Sequence, residues 1–146
     1  MEYKTLDHSI NVIAYNKNDV NYVMTCAWGM NVDYDKFICL LGSQSVTGKN
    51  IKKGDIVGFS ALSNEQLSIA LALGDNHSDE KDKLLGINYY CNENAILITD
   101  AVLQYKCIVM NVIHLDEIEV DNLVYLKIIE GTSLEKEFLH MSDIHA

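Results

Sequence analysis

Short hydrophobic runs alternate along this chain with polar segments rich in Asn, Asp and Gly. Val, Ile and Tyr favour strands, whereas Asn and Asp favour turns. The first half therefore predicts four strands, in SINVIAY, YVMTCAW, KFICLLG and DIVGFSAL, with NKNDVN as the turn between the first two. The second half predicts further strands in AILITD, AVLQYKCIVMNVIHL and EIEVDNLVYLKIIEG.

Two segments predict short helices. Between the third and fourth strands, Ser45 or Thr47 is suited to cap a helix that Gly54 would end. Further along, Ser63 and Gln66 have the spacing of a capping box. The apolar residues that follow are spaced as one stripe of a helix: Leu67, Ala70, Leu71, Ala72 and Leu73.

Together these elements predict a mainly β fold. About six strands with two short helices are typical of a β-barrel that carries helical insertions. A chain of 146 residues favours one domain, covering residues 1–146. The segment DNHSDEKDK is predicted to be a solvated loop, and the tail TSLEKEFLHMSDIHA carries no predicted element.

The charge balance restricts the partners of the protein. The net charge is −10 and the sequence contains no Arg, so the acidic surface argues against a nucleic-acid partner. No apolar run approaches the ~20 residues of a membrane span, and the N-terminus has no signal pattern. We therefore expect a cytoplasmic protein with no membrane partner. Any anion site must use Lys, hydroxyls and backbone N–H groups.

The four cysteines show no C-x-x-C spacing, which argues against a zinc or iron–sulfur site. Cys26, Cys39 and Cys107 stand within apolar runs and are predicted to be reduced core residues. The histidines lack H-E-x-x-H spacing, and His77 is predicted to lie in the acidic loop rather than to bind metal. No metal site and no catalytic side chain are predicted.

One polar segment has the components of an anion site. Ser43, Gln44, Ser45 and Thr47 follow the third strand where a helix is predicted to begin, and three lysines come after them. Exposed N–H groups and the dipole at a helix N-terminus attract phosphate. The segment is not a P-loop, because Asn50 follows Lys49. Helix capping without a ligand remains the alternative.

The segment MTCAWGMN holds the only Trp, Trp28, among small residues just past a strand. Small residues let a ligand approach the backbone closely. The alternative is that Trp28 is a core residue.

The order of these segments resembles the flavin reductase-like family, also called flavoredoxin-like, whose fold is the FMN-binding split barrel. The stretch from Asn21 to Trp28 looks like the segment that members carry after their second strand, and Ser43-x-Ser45-x-Thr47 looks like their hydroxyl-rich segment after the third. Asp82-Lys83, LQYKCIV and Asp121-Asn122 with the strand LVYLKIIEG continue the match. The resemblance spans about residues 9–131.

The resemblance implies FMN as cofactor and a place for it. The residues from Thr25 to Trp28 would border the isoalloxazine, the hydroxyl segment would hold the ribityl phosphate, and Lys83 would add positive charge. The cofactor-binding residues implied in this way are Thr25, Cys26, Ala27, Trp28, Ser43, Gln44, Ser45, Thr47 and Lys83. The resemblance also implies a homodimer with FMN near the subunit interface.

Two functions follow from the resemblance. The first is an NAD(P)H-dependent flavin reductase, in which hydride passes from NADH or NADPH to the flavin. The second is a non-enzymatic FMN electron carrier between redox protein partners. Three residues depart from the family pattern: Tyr34 stands within its D-P-P turn, Asn122 replaces its His and Lys127 replaces a Gly. The second departure bears on the use of NAD(P)H more than on flavin binding.

Overall fold

The computed structural model describes residues 3–42, 49–74, 84–117 and 121–144. Within these ranges nine strands form one sheet and two short helices pack beside it. The strands are β1 (Asn11–Lys17), β2 (Val20–Cys26), β3 (Gly29–Asp33), β4 (Lys36–Gly42), β5 (Ile56–Ala61), β6 (Tyr89–Asn92), β7 (Ala95–Ile98), β8 (Leu103–His114) and β9 (Asp121–Ser133). The helices are α1 (Leu67–Gly74) and α2 (Met141–Ile144). The predicted mainly β fold is confirmed.

The sheet is antiparallel and curls into a barrel. Its strand order is β3-β4-β9-β8-β5-β1-β7-β6, and β2 pairs with β1 outside this path. The Leu40 N–H donates to the Trp28 carbonyl oxygen at 2.8 Å, which continues the β3–β4 pairing one residue beyond Gly29 and Cys39. The ends of β2 and β4 meet at this point, because the Cys26 sulfur lies 3.6 Å from the Leu40 carbonyl oxygen. The barrel therefore closes beside the segment that follows β2.

The first hairpin turn is tighter than the sequence predicts. Only Asn18 and Asp19 lie between β1 and β2, with φ of 55° and 65°. Two consecutive residues with positive φ are typical of the type I′ turn, which Asn and Asp tolerate and which matches the strand twist. The six-residue turn predicted for NKNDVN is wrong, because the strands extend into it.

Two strands were not predicted. Edge strand β3 exposes most of its residues, Met30 to Asp33, so no buried face imposes an alternating pattern on its sequence. Strand β6 is also mostly exposed and forms a hairpin with β7 around the positive-φ residue Glu93. Short exposed strands carry little hydrophobic signal.

Two apolar cores lie on opposite sides of the barrel wall. The interior core includes Ile13, Phe37, Leu41, Phe59 and Leu126, and the Phe37 and Phe59 rings stack with centroids 4.7 Å apart. The outer core packs α1 and the β6–β7 hairpin against the wall through Val12, Val23, Leu73, Ile96 and Leu139. Because both faces of β1 are covered, its first five residues are all buried.

The C-terminal tail belongs to the outer core. Leu139 is buried, donates its N–H to the Leu62 carbonyl at 2.9 Å and accepts from the Ile10 N–H at 2.8 Å. Phe138 and His140 form isolated bridges with Ser63 and Ser9. The tail thus runs between the residues that precede β1 and those that follow β5.

The capping box before α1 is confirmed. The Gln66 side-chain oxygen accepts the Ser63 N–H at 3.0 Å, and the Ser63 hydroxyl accepts the Glu65 N–H at 3.3 Å. The predicted apolar stripe is partly wrong, because Leu71 and Ala72 are exposed while Ala70 and Leu73 are buried. The helix is only eight residues long and packs one narrow face on the barrel.

The predicted helix that follows β4 lies largely outside the described residues. Lys49 and Asn50 are helical, and Gly54 adopts φ of 91° at the turn that leads into β5. Asp55 stabilises this turn, since its carboxylate accepts the Lys52 N–H at 2.8 Å and pairs with Lys17 at 2.9 Å.

We expect Gln66→Ala to lower the free energy of unfolding by about 2 kcal/mol, because it removes two hydrogen bonds from a buried site. Besides capping α1, the Gln66 amide donates to the Thr99 carbonyl at 2.9 Å. Urea unfolding measures the loss. Glu65→Ala, at the exposed neighbouring position, is the matched control. Equal losses in both variants would contradict the capping role.

Candidate functional site

The segment from Cys26 to Trp28 joins β2 to β3 at the place where the barrel closes. The Cys26 thiol lies 3.5 Å from the Trp28 carbonyl oxygen and 3.6 Å from that of Leu40. The Leu40 N–H holds the same Trp28 carbonyl at 2.8 Å. These contacts fix the segment against β4, two residues before that strand ends at Gly42.

The side chains of the predicted isoalloxazine segment face three different surroundings. Thr25 and Ala27 line a pocket of about 210 Å³ beneath α2, together with Met141. Cys26 is buried in the interior core. Trp28 is 50% exposed, so the alternative that it is a core residue is wrong. A ligand on this segment would therefore contact its backbone and the Trp28 ring rather than all four side chains.

An apolar groove opens beside Trp28 on the outer face of the sheet. Its volume is about 280 Å³. We call it the Trp28 groove, and its lining residues are His8, Trp28, Gly29, Met30, Ile38, Leu40, Leu115 and Leu123. Side chains of a strand alternate between its two faces. Ile38 and Leu40 of β4 therefore face outwards into the groove, while Cys39 and Leu41 are buried in the interior core.

Strand register brings further residues of the outer face together at the groove. Met30 of β3 pairs with Ile38, and Leu123 of β9 pairs with Leu40. Among the lining residues only His8 has a titratable side chain. The groove therefore suits an apolar, planar ligand more than a charged one.

The predicted phosphate-binding residues Ser43, Gln44, Ser45, Thr47 and Lys83 lie outside the described residues. The first four follow directly after Gly42, which pairs with Asp121 of β9. Leu40, in the floor of the Trp28 groove, stands three positions before Ser43. The chain thus enters the hydroxyl segment at the groove.

Asn122, the residue at the position of the family His, lies at the same end of β4. It pairs with Leu41 of β4 and with His114 of β8. Lys127 lies five residues further along β9, is exposed and pairs with Lys36. Asn122 is therefore close to the groove through its strand neighbours, whereas Lys127 lies at the far end of β4.

The cysteines have contrasting environments. Cys26, Cys39 and Cys107 are buried free thiols, which confirms the prediction of reduced core residues, and Cys91 is exposed. A hydrogen bond from the Cys39 thiol lowers the pKa of Cys26. The same bond and burial raise the pKa of Cys39, and burial raises the pKa of Cys107 to about 12.

A third cavity, which we call the barrel-mouth pocket, lies on the inner side of β3 and was not predicted. It has a volume of about 210 Å³ and is lined by Ser9, Asn11, Gly29, Met30, Asn31, Phe37, Phe59, Leu103, Phe138 and His140. Tail residues contribute to this lining, and the tail carries no sequence signal that would have placed them there.

Within the described ranges, no group of three or more His, Cys, Asp or Glu side chains could hold a metal ion, and His77 lies outside these ranges. None of the helices described is long and apolar enough to cross a membrane.

No protein-family model and no curated protein matches the sequence. Solved structures do match the fold. The NADH:FAD oxidoreductase of Streptomyces globisporus superposes with a TM-score of 0.82 at 15% identity, over 92% of this chain and 81% of that one. Flavoredoxin from Methanosarcina acetivorans gives 0.76 at 14% identity, over 92% and 77%.

A third similar structure is the FMN-binding protein of Thermus thermophilus with bound 1-cyclohex-2-enone. Its TM-score is 0.79 at 13% identity, over 90% of this chain and 73% of that one. At such identities the likeness concerns the fold. The chain therefore has the flavin reductase-like fold, as its sequence predicts.

Proposed function

We propose that this protein binds FMN in the Trp28 groove and acts as an NAD(P)H-dependent flavin reductase. The observation that carries the proposal is the hydrogen bond between the Leu40 N–H and the Trp28 carbonyl at 2.8 Å. It brings the segment that resembles an isoalloxazine-binding segment to the end of β4, where the hydroxyl segment begins.

The residues of the groove fit a flavin ring. Half of the surface of Trp28 is exposed and available for contact with a ligand. Met30, Leu40 and Leu123 form an apolar floor beside it. A volume of about 280 Å³ suits a ring system rather than a whole nucleotide. The ribityl phosphate would extend towards Ser43, Ser45 and Thr47, where hydroxyls and lysines suit an anion without Arg.

When bound, FMN supplies the redox chemistry of such a protein. The part of this chain is to bind and orient the cofactor. The fixed backbone of Cys26 to Trp28 would border one edge of the ring, and the apolar floor would exclude water from it. Neither role needs a side-chain acid or base.

A homodimer would cover the groove. Beside it, the outer sheet face exposes apolar side chains of β3 and β8, among them Met30, Val32 and Ile113. A contiguous apolar surface of this kind is typical of an interaction site. We propose that a second copy packs here and completes the flavin site.

The proposal predicts that FMN quenches the fluorescence of Trp28, the only Trp. Because a stacked ring contributes roughly 0.5–1.5 kcal/mol, Trp28→Ala should weaken FMN binding up to about tenfold. Titration followed by absorbance gives the affinity of both proteins. Tyr34→Ala is the matched control, since Tyr34 is a fully exposed aromatic residue of the β3–β4 turn.

An NADH and NADPH oxidation assay with added FMN separates the two candidate activities. Turnover supports a reductase. FMN that stays with the protein through desalting without turnover identifies an electron carrier. A colourless protein whose Trp28 emission does not respond to FMN would contradict flavin binding altogether.

A further inference from the structure

Asn11 is a buried polar residue at an interior position of β1. Side chains of a strand alternate between its two faces, and Ile13 and Tyr15, on the same face as Asn11, belong to the interior core. Asn11 is only 1% exposed. Burying an amide costs free energy unless its donors and acceptors find partners. The contacts of this side chain therefore show what its position in the barrel can serve.

The hydrogen bonds of Asn11 leave one of its N–H groups available. Its side-chain oxygen accepts the Ser9 hydroxyl at 3.0 Å. Among the described residues, its amide nitrogen donates to one acceptor, the Ser9 carbonyl oxygen, at the long distance of 3.4 Å. The nitrogen carries two hydrogens, so one of them remains for a further acceptor.

The amide nitrogen of Asn11 faces the barrel-mouth pocket. Asn11 and Gly29 both line this pocket, and a Cβ atom on Gly29 would lie 3.8 Å from the Asn11 nitrogen. Because Gly29 has no side chain, β3 leaves space in front of the nitrogen. A ligand in the pocket can therefore reach the available N–H group.

The rest of the pocket suits one aromatic ring. Phe37, Phe59 and Phe138 line it, and aromatic rings pack favourably on one another. The volume of about 210 Å³ leaves room for a substituent, since a cavity of about 150 Å³ accommodates benzene. Among the described residues that line the pocket, only His140 has a titratable side chain, and the net charge of −10 disfavours anions.

We propose that the barrel-mouth pocket binds one small, uncharged aromatic molecule that carries an alcohol or carbonyl oxygen. The ring packs against Phe37, Phe59 and Phe138, and the oxygen accepts the available N–H of Asn11. This site is distinct from the proposed flavin site, because Trp28 lines the groove and not the pocket. Binding therefore requires no flavin.

The test uses flavin-free, isotope-labelled protein and benzyl alcohol as the probe. We expect saturable shifts of the Asn11 side-chain amide signal and the Gly29 backbone signal in two-dimensional NMR spectra, with a dissociation constant in the millimolar range or below. Benzoate, which has a carboxylate in place of the alcohol, should bind at least about tenfold more weakly because its charge must be desolvated. Neither result depends on whether the protein binds FMN.

Three variants test the two kinds of contact. Asn11→Leu should weaken binding of benzyl alcohol about tenfold without weakening that of ethylbenzene, in which a methyl group replaces the hydroxyl. Phe138→Ala should weaken the binding of both ligands, since it removes one aromatic wall. Leu134→Ala is its matched control, because Leu134 lies in the same tail, is 37% exposed against 36% for Phe138, and does not line the pocket.

The wild-type protein can overturn the proposal without any variant. It fails if benzyl alcohol leaves the Asn11 and Gly29 signals in place up to its solubility limit, or if benzoate binds as tightly as benzyl alcohol. It also fails if Asn11→Leu weakens the binding of benzyl alcohol and ethylbenzene equally, since the amide would then make no specific contact with the oxygen.

Discussion

Gly58→Ala is expected to lower the free energy of unfolding by about 3 kcal/mol, at the upper end of what overpacking costs. Gly58 lies in β5, where the β6–β7 hairpin crosses the barrel wall. A Cβ atom at this position would lie 2.0 Å from the carbonyl oxygen of Ile96 and 2.7 Å from its carbonyl carbon. Backbone atoms cannot rotate away as a side chain can, so β7 must move.

Movement of β7 would disturb contacts on both sides of Ile96. Ile96 and Ile98 are fully buried in the outer core, and the Ile98 N–H donates to the Ser60 hydroxyl at 3.0 Å. A displaced hairpin would weaken both the packing and this bond. The substitution therefore tests whether the close packing of β7 on β5 stabilises the outer core.

Thermal and urea unfolding of Gly58→Ala measure the effect. Gly54→Ala is the matched control, because nothing lies within 4 Å of its Cβ position and only the φ of 91° opposes it. Strain of that kind costs about 1–2 kcal/mol. A Gly58→Ala protein as stable as the Gly54→Ala protein would show that β7 does not pack on β5 as described.

The strands that were predicted from sequence are those whose apolar residues enter a core. KFICLLG coincides with β4, and the long runs of the second half coincide with β8 and β9. Along β4 the period of two sends Phe37, Cys39 and Leu41 inwards. Burial selects these residues, so their pattern is visible before the structure is known.

Other features depend on tertiary contacts that the sequence does not express. Gln104 and Lys106 are polar residues at alternate positions of β8, a pattern typical of an exposed strand face. In the structure they are only 7% and 5% exposed. The β6–β7 hairpin covers them, because Tyr90 donates to Gln104 and Lys106 pairs with Glu93. Polar groups buried with partners leave no hydrophobic pattern. The burial of Leu139 in the outer core also depends on tertiary contacts, namely its backbone hydrogen bonds with Ile10 and Leu62.

The surroundings of the candidate site could be predicted from the sequence only in part. A close approach of a ligand to the small residues around Trp28 stays a prediction, and their spacing could not reveal that Thr25, Cys26 and Trp28 face three surroundings. The floor of the groove comes from β4 and β9, which are distant in sequence. Only the register of these strands brings Leu40 and Leu123 together, and register is set by the whole sheet.

Replacing both Ser45 and Thr47 by Ala should weaken FMN binding by about 3 kcal/mol or more, since hydrogen bonds to charged groups contribute roughly 1.5–3 kcal/mol each. This loss corresponds to more than about a hundredfold in the dissociation constant. Both hydroxyls follow β4 within a few residues of the groove floor, where the phosphate of a flavin in the groove would extend.

Riboflavin provides the decisive comparison, because it has the same ring and ribityl chain without the phosphate. Its affinity should fall far less in the Ser45→Ala, Thr47→Ala protein. A second double variant, Thr5→Ala with Ser133→Ala, removes one Thr and one Ser hydroxyl at exposed positions and should bind both ligands normally. Equal losses of affinity for FMN and riboflavin would mean that the substitutions disturb ring binding or folding rather than phosphate binding. The hydroxyl segment would then be a helix cap without a ligand, and the phosphate of FMN would need another site.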